Sequence, residues 1–128
     1  MKYLTFEEIL RLHFQVVEDY GGSHGVRSED RFESVVEAPT VEVFEVEQYP
    51  GMYLKAAVYL RNIVKDHPFV DGNKRTGITV STVYLMRNGT VLTTSPKELE
   101  DFTISVTTEH LDVPAIASWF ETHSQPRG

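Results

Sequence analysis

The nine residues from His67 to Arg75 bring together a histidine, a carboxylate, an amide and two cations. They read His-Pro-Phe-Val-Asp-Gly-Asn-Lys-Arg and are called the motif below. Histidine is the side-chain type that exchanges a proton near neutrality, which makes His67 the natural general base. Asp71 supplies the hard oxygen ligand that Mg²⁺ accepts alongside substrate phosphates. The motif therefore predicts a site that holds a nucleotide phosphate, a metal ion and a proton acceptor together.

The second half of the motif is suited to binding an anion. Gly72 lets the backbone adopt a positive φ and approach a ligand closely. A helix that starts near Asn73 offers free N–H groups and the positive end of its dipole. Lys74 adds a point charge and Arg75 a forked cation, so Asn73, Lys74 and Arg75 are all candidate phosphate ligands. Phe69, the apolar residue amid these polar neighbours, is expected to anchor the loop in the core.

Each of these residues also has an ordinary structural explanation. A lone histidine is more often structural than catalytic. An Asp-Gly-Asn sequence commonly forms a turn, and a Lys-Arg pair commonly lies on the solvated face of a helix. Their occurrence together favours the functional interpretation, because a plain turn needs neither a histidine nor paired cations.

The motif resembles the signature of the Fic/Doc family, His-x-Phe-x-(Asp/Glu)-(Gly/Ala)-Asn-(Gly/Lys)-Arg, at every position. Lys74, which stands where adenylylating members usually have glycine, resembles the Doc (death-on-curing) branch. The resemblance extends from about Leu4 to His123. Outside the motif it is carried by Tyr20-Gly21-Gly22, Gly25-Val26-Arg27, Ser34 to Pro39, Tyr49-Pro50, Lys55-Ala56-Ala57 and Arg87-Asn88-Gly89.

This resemblance implies an all-α Fic fold of roughly six helices with a small β-hairpin flap, in a single domain that spans residues 1–128. It also implies that His67 deprotonates a hydroxyl of a protein target and that Asp71 holds Mg²⁺. Residues 72–75 would bind the phosphates of ATP. In the Doc branch the nucleotide lies reversed, so that its γ-phosphate faces the nucleophile and the enzyme acts as a kinase. Ile78, where adenylylating members often carry a second arginine, supports that branch.

Three functions remain open at this point. The first is a Doc-like toxin of a type II toxin–antitoxin pair that transfers the γ-phosphate of ATP, with a translation factor suggested as its target. The second is a Fic-type adenylyltransferase, against which Lys74 and Ile78 weigh. The third is a catalytically silent interaction module, against which the intact His67, Asp71 and Arg75 weigh.

Control is expected to come from a separate antitoxin. Many Fic proteins are inhibited by a glutamate of their own, in a pattern like (Ser/Thr)-x-x-x-Glu-(Gly/Asn). The nearest run here, Thr94 to Glu98, is followed by Leu99 instead of glycine or asparagine. Glu98 also has a simpler role in a capping box with Ser95. The resemblance therefore implies inhibition in trans by an antitoxin that covers the pocket around Arg75.

The composition is that of a small globular protein. The chain has 128 residues, no cysteine and a net charge of −7, which argues against direct binding to nucleic acid. We expect Arg61, Lys65, Lys74 and Arg75 to form a local positive pocket in this acidic body. The N-terminus lacks an apolar signal core, and no apolar stretch approaches the length of a membrane span, so we expect a cytoplasmic location without membrane contact.

Hydrophobic spacing and capping residues predict helices along most of the chain. Between Asn73 and Arg87 the evidence conflicts, because β-branched residues favour a strand whereas an anion-binding N-terminus requires a helix. We predict a helix there, since burial can override propensity. The predicted helices are Thr5–Tyr20, from Ser28 to before Pro39, Met52–Asp66, Asn73–Arg87, from Ser95, and from about Asp112.

The segment between Thr40 and Tyr49 has a different pattern. Its apolar residues favour a strand, whereas the intervening glutamates keep it in water. It is either an irregular acidic loop or the flap of the Fic fold, a hairpin whose open edge pairs with the target's backbone. The residues assigned to target binding in the second case are Val41, Val43, Phe44 and Val46.

Overall fold

The computed structural model describes residues Met1–Gly128 as six helices and two small antiparallel sheets. The helices are α1 Phe6–Tyr20, α2 Glu29–Glu37, α3 Met52–Asp66, α4 Asn73–Arg87, α5 Pro96–Thr108 and α6 Val113–Thr122. The strands are β1 Glu42–Val43, β2 Val46–Glu47, β3 Thr90–Leu92 and β4 Ser124–Pro126, and a 3₁₀ turn spans Ala38–Thr40. The predicted architecture of roughly six helices with a small β-hairpin is confirmed.

Side-chain caps set the starts of four helices. Thr5 Oγ1 accepts from the Glu8 N–H at 3.1 Å, while a Glu8 carboxylate oxygen accepts from the Thr5 N–H at 3.0 Å. Ser95 and Glu98 form the same reciprocal box. Ser28 and Asp112 cap α2 and α6. Predicted helix starts at Thr5 and Ser28 are therefore early by one residue, because the capping residue itself lies outside the helix, whereas Ser95 with Pro96 as the first helical residue is confirmed.

Helix α3 forms the centre of the core and packs against both α4 and α6. Gly77 permits the close approach of α4 to α3. A Cβ atom added at Gly77 would lie 3.1 Å from Leu60 Cδ1 and 3.2 Å from Val64 Cγ1. The two helices that flank the motif loop are thus held close together.

Helix α4 forms in spite of its β-branched residues. Thr79 Oγ1 donates to the Arg75 carbonyl at 2.9 Å and Ser81 Oγ donates to the Gly77 carbonyl at 2.8 Å, so these side chains are satisfied within the helix. Val80, Tyr84 and Leu85 are buried against the rest of the core. Tertiary burial therefore decides the conformation of this segment, as predicted.

The two sheets differ in how far apart their strands lie in the sequence. The pair β1–β2 is a local hairpin, in which Glu42 faces Glu47 and Val43 faces Val46. The pair β3–β4 joins Thr90–Leu92 to Ser124–Pro126 and was not predicted, because three-residue strands so far apart carry no local signal. None of the six helices has the length and apolarity that crossing a membrane requires.

Candidate active site

The motif loop, residues 67–72, connects the end of α3 to the start of α4. His67 is the C-terminal cap of α3, with φ of 50°, and its N–H donates to the Ile63 carbonyl at 3.2 Å. Gly72, with φ of 75°, immediately precedes the first residue of α4. Both ends of the loop are therefore in the left-handed region, which glycine favours and which histidine adopts at some cost.

The side chain of Asn73 clamps the motif loop, and the side chain of Phe69 anchors it in the core. Asn73 accepts from the Phe69 N–H at 3.0 Å through Oδ1 and donates to the Phe69 carbonyl at 2.9 Å through Nδ2. Phe69 has no exposed surface, as expected of an anchor, and its ring meets Phe32 edge to face. The amide oxygen of Asn73 and one of its two Nδ2 hydrogens are occupied in this way, so the side chain of Asn73 mainly holds the loop and its backbone N–H is free for a phosphate.

His13 of α1 packs against the motif loop and bonds to its backbone. It is 2% exposed, as expected of a packed core histidine. Its ring stacks on Phe69 with centroids 3.8 Å apart, and its Nε2 lies 2.8 Å from the Asp71 carbonyl oxygen. Burial lowers the pKa of His13, and the hydrogen bond to Asp71 only partly opposes that shift. A neutral imidazole that donates from Nε2 satisfies both observations.

The segment after α1 also braces the loop. The Arg27 N–H donates to the Pro68 carbonyl at 2.8 Å and the Val70 N–H donates to the Gly25 carbonyl at 3.0 Å. Asp71 Oδ2 accepts from the Ser23 N–H at 2.8 Å. The loop is thus tied by backbone bonds to the chain between α1 and α2.

A cavity of about 480 Å³, called the α4 pocket below, opens at the N-terminus of α4. The first helical N–H groups, which lack partners within a helix, belong to Asn73, Lys74 and Arg75. The Thr76 N–H is bonded to the Gly72 carbonyl at 2.9 Å. The pocket brings together five residues singled out from the sequence. They are His67, Gly72, Asn73, Lys74 and Arg75.

Contacts from two other helices orient the guanidinium of Arg75. Its central carbon lies 3.9 Å from the centre of the Tyr20 ring, a cation–π distance. A terminal nitrogen lies 3.6 Å from Glu100 Oε2 of α5. Glu100 was not predicted, because nothing in the spacing of α5 indicates a residue that contacts the motif. Both side chains of the pair are more than 40% exposed, so the ion pair is weak and leaves the arginine available.

Comparisons with known proteins identify the family of this chain. Residues 3–85 match the model of the Fic/DOC family, which is more than half of the chain. The chain belongs to the Fic/Doc family. Among its relatives, protein kinase doc of Escherichia phage P1 is 31% identical over 117 residues, which is 91% of each chain. Toxin Doc of Mycolicibacterium smegmatis is 33% identical over 101 residues, which is 77% of this chain and 78% of the relative.

The hairpin β1–β2 takes the place of the Fic/Doc flap. Its four apolar side chains are all exposed, from Val41 at 40% to Phe44 at 96%, and they line none of the cavities. Its base is held by Lys55, which is 1% exposed and donates to Glu47 at 3.0 Å and to the Tyr49 carbonyl. Phe44 and Glu45, both with positive φ, form the turn.

Asp71 flanks the α4 pocket without lining it. One of its carboxylate oxygens is bonded to Ser23, so the other is free to coordinate a cation. No set of three metal-ligating side chains converges there. A single carboxylate suits Mg²⁺, which completes its shell with water and substrate phosphates, and does not suit a metal caged by protein alone.

A second cavity, of about 330 Å³, lies on another side of His67. It is lined by Arg61 and Lys65 of α3 and by His110 in the turn after α5, and we call it the basic pocket. The four cations expected to form one positive pocket are therefore divided. Lys74 and Arg75 line the α4 pocket, whereas Arg61 and Lys65 line the basic pocket, and His67 belongs to both.

Proposed function

We propose that this chain is a Doc-like toxin that transfers the γ-phosphate of ATP to a hydroxyl of a protein target. One observation carries the proposal. His67 lines the same pocket as the N-terminal N–H groups of α4, Lys74 and Arg75. A base and a phosphate cradle that share one cavity are what phosphoryl transfer requires.

The chemistry follows from these positions. The N–H groups of α4, Lys74 and Arg75 bind the phosphates. His67 accepts the proton of the target hydroxyl as its oxygen attacks the γ-phosphorus, and the bond from that phosphorus to the β,γ-bridging oxygen breaks to release ADP. Asp71 would hold Mg²⁺, which supplies charge neutralisation when bound.

The rest of the nucleotide has space beyond Arg75. Tyr20 and Arg75 also line an adjoining cavity of about 400 Å³. Its walls include Ile78, Leu92 and Leu99, and apolar walls of this kind suit a nucleoside base. Binding of the base there would leave the phosphate chain to reach towards His67, the orientation that γ-transfer needs.

The names of the relatives support the same activity and a partner. One relative is named as a protein kinase and another as a toxin. A toxin needs an antitoxin, and the weak, exposed contact of Glu100 with Arg75 does not close the α4 pocket. We therefore propose that inhibition comes from a separate antitoxin, whose bound segment folds against the surface around Arg75. A translation factor remains the proposed class of target.

Labelled ATP tests the proposal. In a lysate of the host, label from the γ-position should appear on a protein, and label from the α-position should not. Transfer of the α-label would instead establish adenylyl transfer, and transfer of neither would establish a catalytically silent module.

Lys74→Gly should weaken γ-transfer and admit some α-transfer, because the ammonium occupies the space of a differently placed phosphate. Equal γ-transfer in both proteins would mean that Lys74 does not set the orientation.

Growth provides a second test. Expression of the chain alone should slow growth of its host, and His67→Ala should abolish the effect. Normal growth with an active wild-type protein, in a host that lacks the neighbouring genes, would contradict the toxin proposal.

A further inference from the structure

The basic pocket carries positive charge that the protein itself does not neutralise. Its eight lining residues include Arg61, Lys65, His67 and His110 and no acidic side chain, although acidic residues outnumber Lys and Arg by 19 to 12 in the chain. Neither Arg61 nor Lys65 takes part in any of the five ion pairs of the structure. The one side-chain hydrogen bond of Arg61 is a long one, 3.4 Å, to Asn62. The pocket is therefore complementary to an anion from outside.

The backbone places two imidazoles there at a conformational cost. Four residues other than glycine have positive φ, and two of them, Phe44 and Glu45, form the tip of the flap. The other two are His67, with φ of 50°, and His110, with φ of 51°. Both line the basic pocket. Disfavoured backbone that is held by its surroundings is concentrated at functional sites.

Position in the fold distinguishes this pocket from the phosphate site. It lies where α3 and α5 end, since Lys65 is in the last turn of α3 and His110 follows the last residues of α5. Helix C-termini carry partial negative charge and offer no free N–H groups, so they disfavour a polyphosphate. The side chains of Arg61 and Lys65 can still pair with a single carboxylate. The ligand that fits is thus a singly charged group.

His67 links this anion to the reaction. Together with Val64 and Thr107 it lines both the basic pocket and the α4 pocket. A target hydroxyl that reaches His67 therefore has the γ-phosphate on one side and the basic pocket on the other. Flap pairing uses the target's backbone, which carries little sequence information, so side-chain pockets must supply specificity.

Resting on the function proposed above, we infer that the basic pocket binds an Asp or Glu side chain of the protein target, close in sequence to the hydroxyl that accepts the phosphate. Arg61, Lys65 and His110 are then specificity residues, which select an acidic acceptor segment without taking part in phosphoryl transfer.

Peptide binding tests the pocket independently of catalysis. Two pools of short peptides with a central threonine differ in one flanking position, which is Asp in one pool and Asn in the other. The Asp pool should bind roughly tenfold more tightly and shift the NMR signals of His110 and of the Arg61 guanidinium. Arg61→Gln and Lys65→Gln should each remove that preference. The matched control Arg11→Gln removes an equal charge from a separate small cavity and should retain the preference.

Three results would overturn the inference. They are equal binding of the two pools, an unchanged preference in both Arg61→Gln and Lys65→Gln, and displacement of the Asp pool by inorganic phosphate at the same concentration. The last result would identify a general anion site.

The same pools with γ-labelled ATP separate this inference from the proposed function. Preferential labelling of the Asp pool supports both. Equal labelling of the two pools contradicts the placement of the acid beside the acceptor. If the Asp pool binds selectively but neither pool is labelled, the proposed function fails while the assignment of the pocket to an acidic side chain stands.

Discussion

The motif loop and the flap are built in opposite ways. The loop buries its apolar residue, Phe69, completely and satisfies its backbone through Asn73, His13 and the chain between α1 and α2. The flap exposes its apolar residues, has two facing residue pairs, and depends on Lys55 at its base. Phe69 and Phe44, chemically identical side chains, lie at the two extremes of exposure, 0% and 96%.

This difference separates two requirements of a transferase. Chemistry needs groups held to within a fraction of an ångström, which only a fully satisfied loop achieves. Recognition of a protein target needs an edge and apolar side chains that the target can cover. A single substitution in either region should therefore produce a distinct kind of defect.

The largest effect is expected at the base. His67→Ala should lower the rate of phosphate transfer by about 10²–10⁴-fold, because the proposed proton acceptor is lost, whereas the proposed phosphate ligands on α4 remain. ATP affinity, measured by calorimetry, should stay close to that of the wild type. An unfolded or fully active variant would show that His67 is structural or is not the base.

Loss of the loop anchor should be the largest defect in stability. Phe69→Ala should reduce the free energy of unfolding by about 3–5 kcal/mol, since it empties a closed part of the core beneath the motif. Urea denaturation measures the change. Phe69→Leu, which preserves most of the side-chain volume, is the control, and its free energy of unfolding should fall clearly less. If the two variants were equally stable, burial of Phe69 would not be what holds the loop.

The equivalent change in the flap should leave stability unaffected. Phe44→Ala should change the free energy of unfolding by less than about 0.5 kcal/mol, because the ring is in water already. Transfer to the protein target should fall by about tenfold, as expected when an exposed aromatic contact is lost. Measured affinity for ATP should not change. A stability loss as large as that of Phe69→Ala would remove the contrast between the two regions.

The smallest effect concerns pH and is specific to the loop. Because burial lowers the pKa of His13, the unfolded chain takes up this proton more readily than the folded one. The stability contributed by neutral His13 is present above the ordinary histidine value of about 6.5 and is lost as pH falls below it. When the free energy of unfolding is measured at pH 7.5 and at a pH below 6, it should fall less in His13→Gln than in the wild type. Equal losses in both proteins would assign the pH effect to other groups.

Most of the helical framework could be predicted from local signals. Capping boxes at Thr5 and Ser95 and the apolar spacing of α3 indicate their elements directly. Helix α4 was predictable only by weighing the chemistry of its N-terminus against its own propensity. The pairing of β3 with β4 could not be predicted, because short strands far apart in the sequence leave no periodic pattern.

The motif identified the histidine and both cations that line the α4 pocket, since these residues are close in sequence and shaped by one loop. Glu100 and His110 reach the site from another helix and a turn, and nothing in their local sequence marks them. Tyr20 lies in a segment that carries the family resemblance, but that segment did not indicate its contact with Arg75. The role of Asn73 was only partly foreseen, because the hydrogen bonds of its amide to Phe69 depend on the path of the backbone. The roles of residues that act through tertiary contacts thus cannot be predicted from local sequence.

The left-handed backbone at His67 has a consequence for how this protein could evolve or be engineered. His67 has φ of 50° and ψ of 62° at the end of a helix, a conformation in which glycine is ordinarily more stable than other residues. A screen for thermal stability alone would thus enrich variants with glycine at position 67, which would be stable but would lack the proposed base. Because His67 is the proposed base, selection for activity is what would retain histidine there, so directed evolution of this protein needs an activity screen in every round.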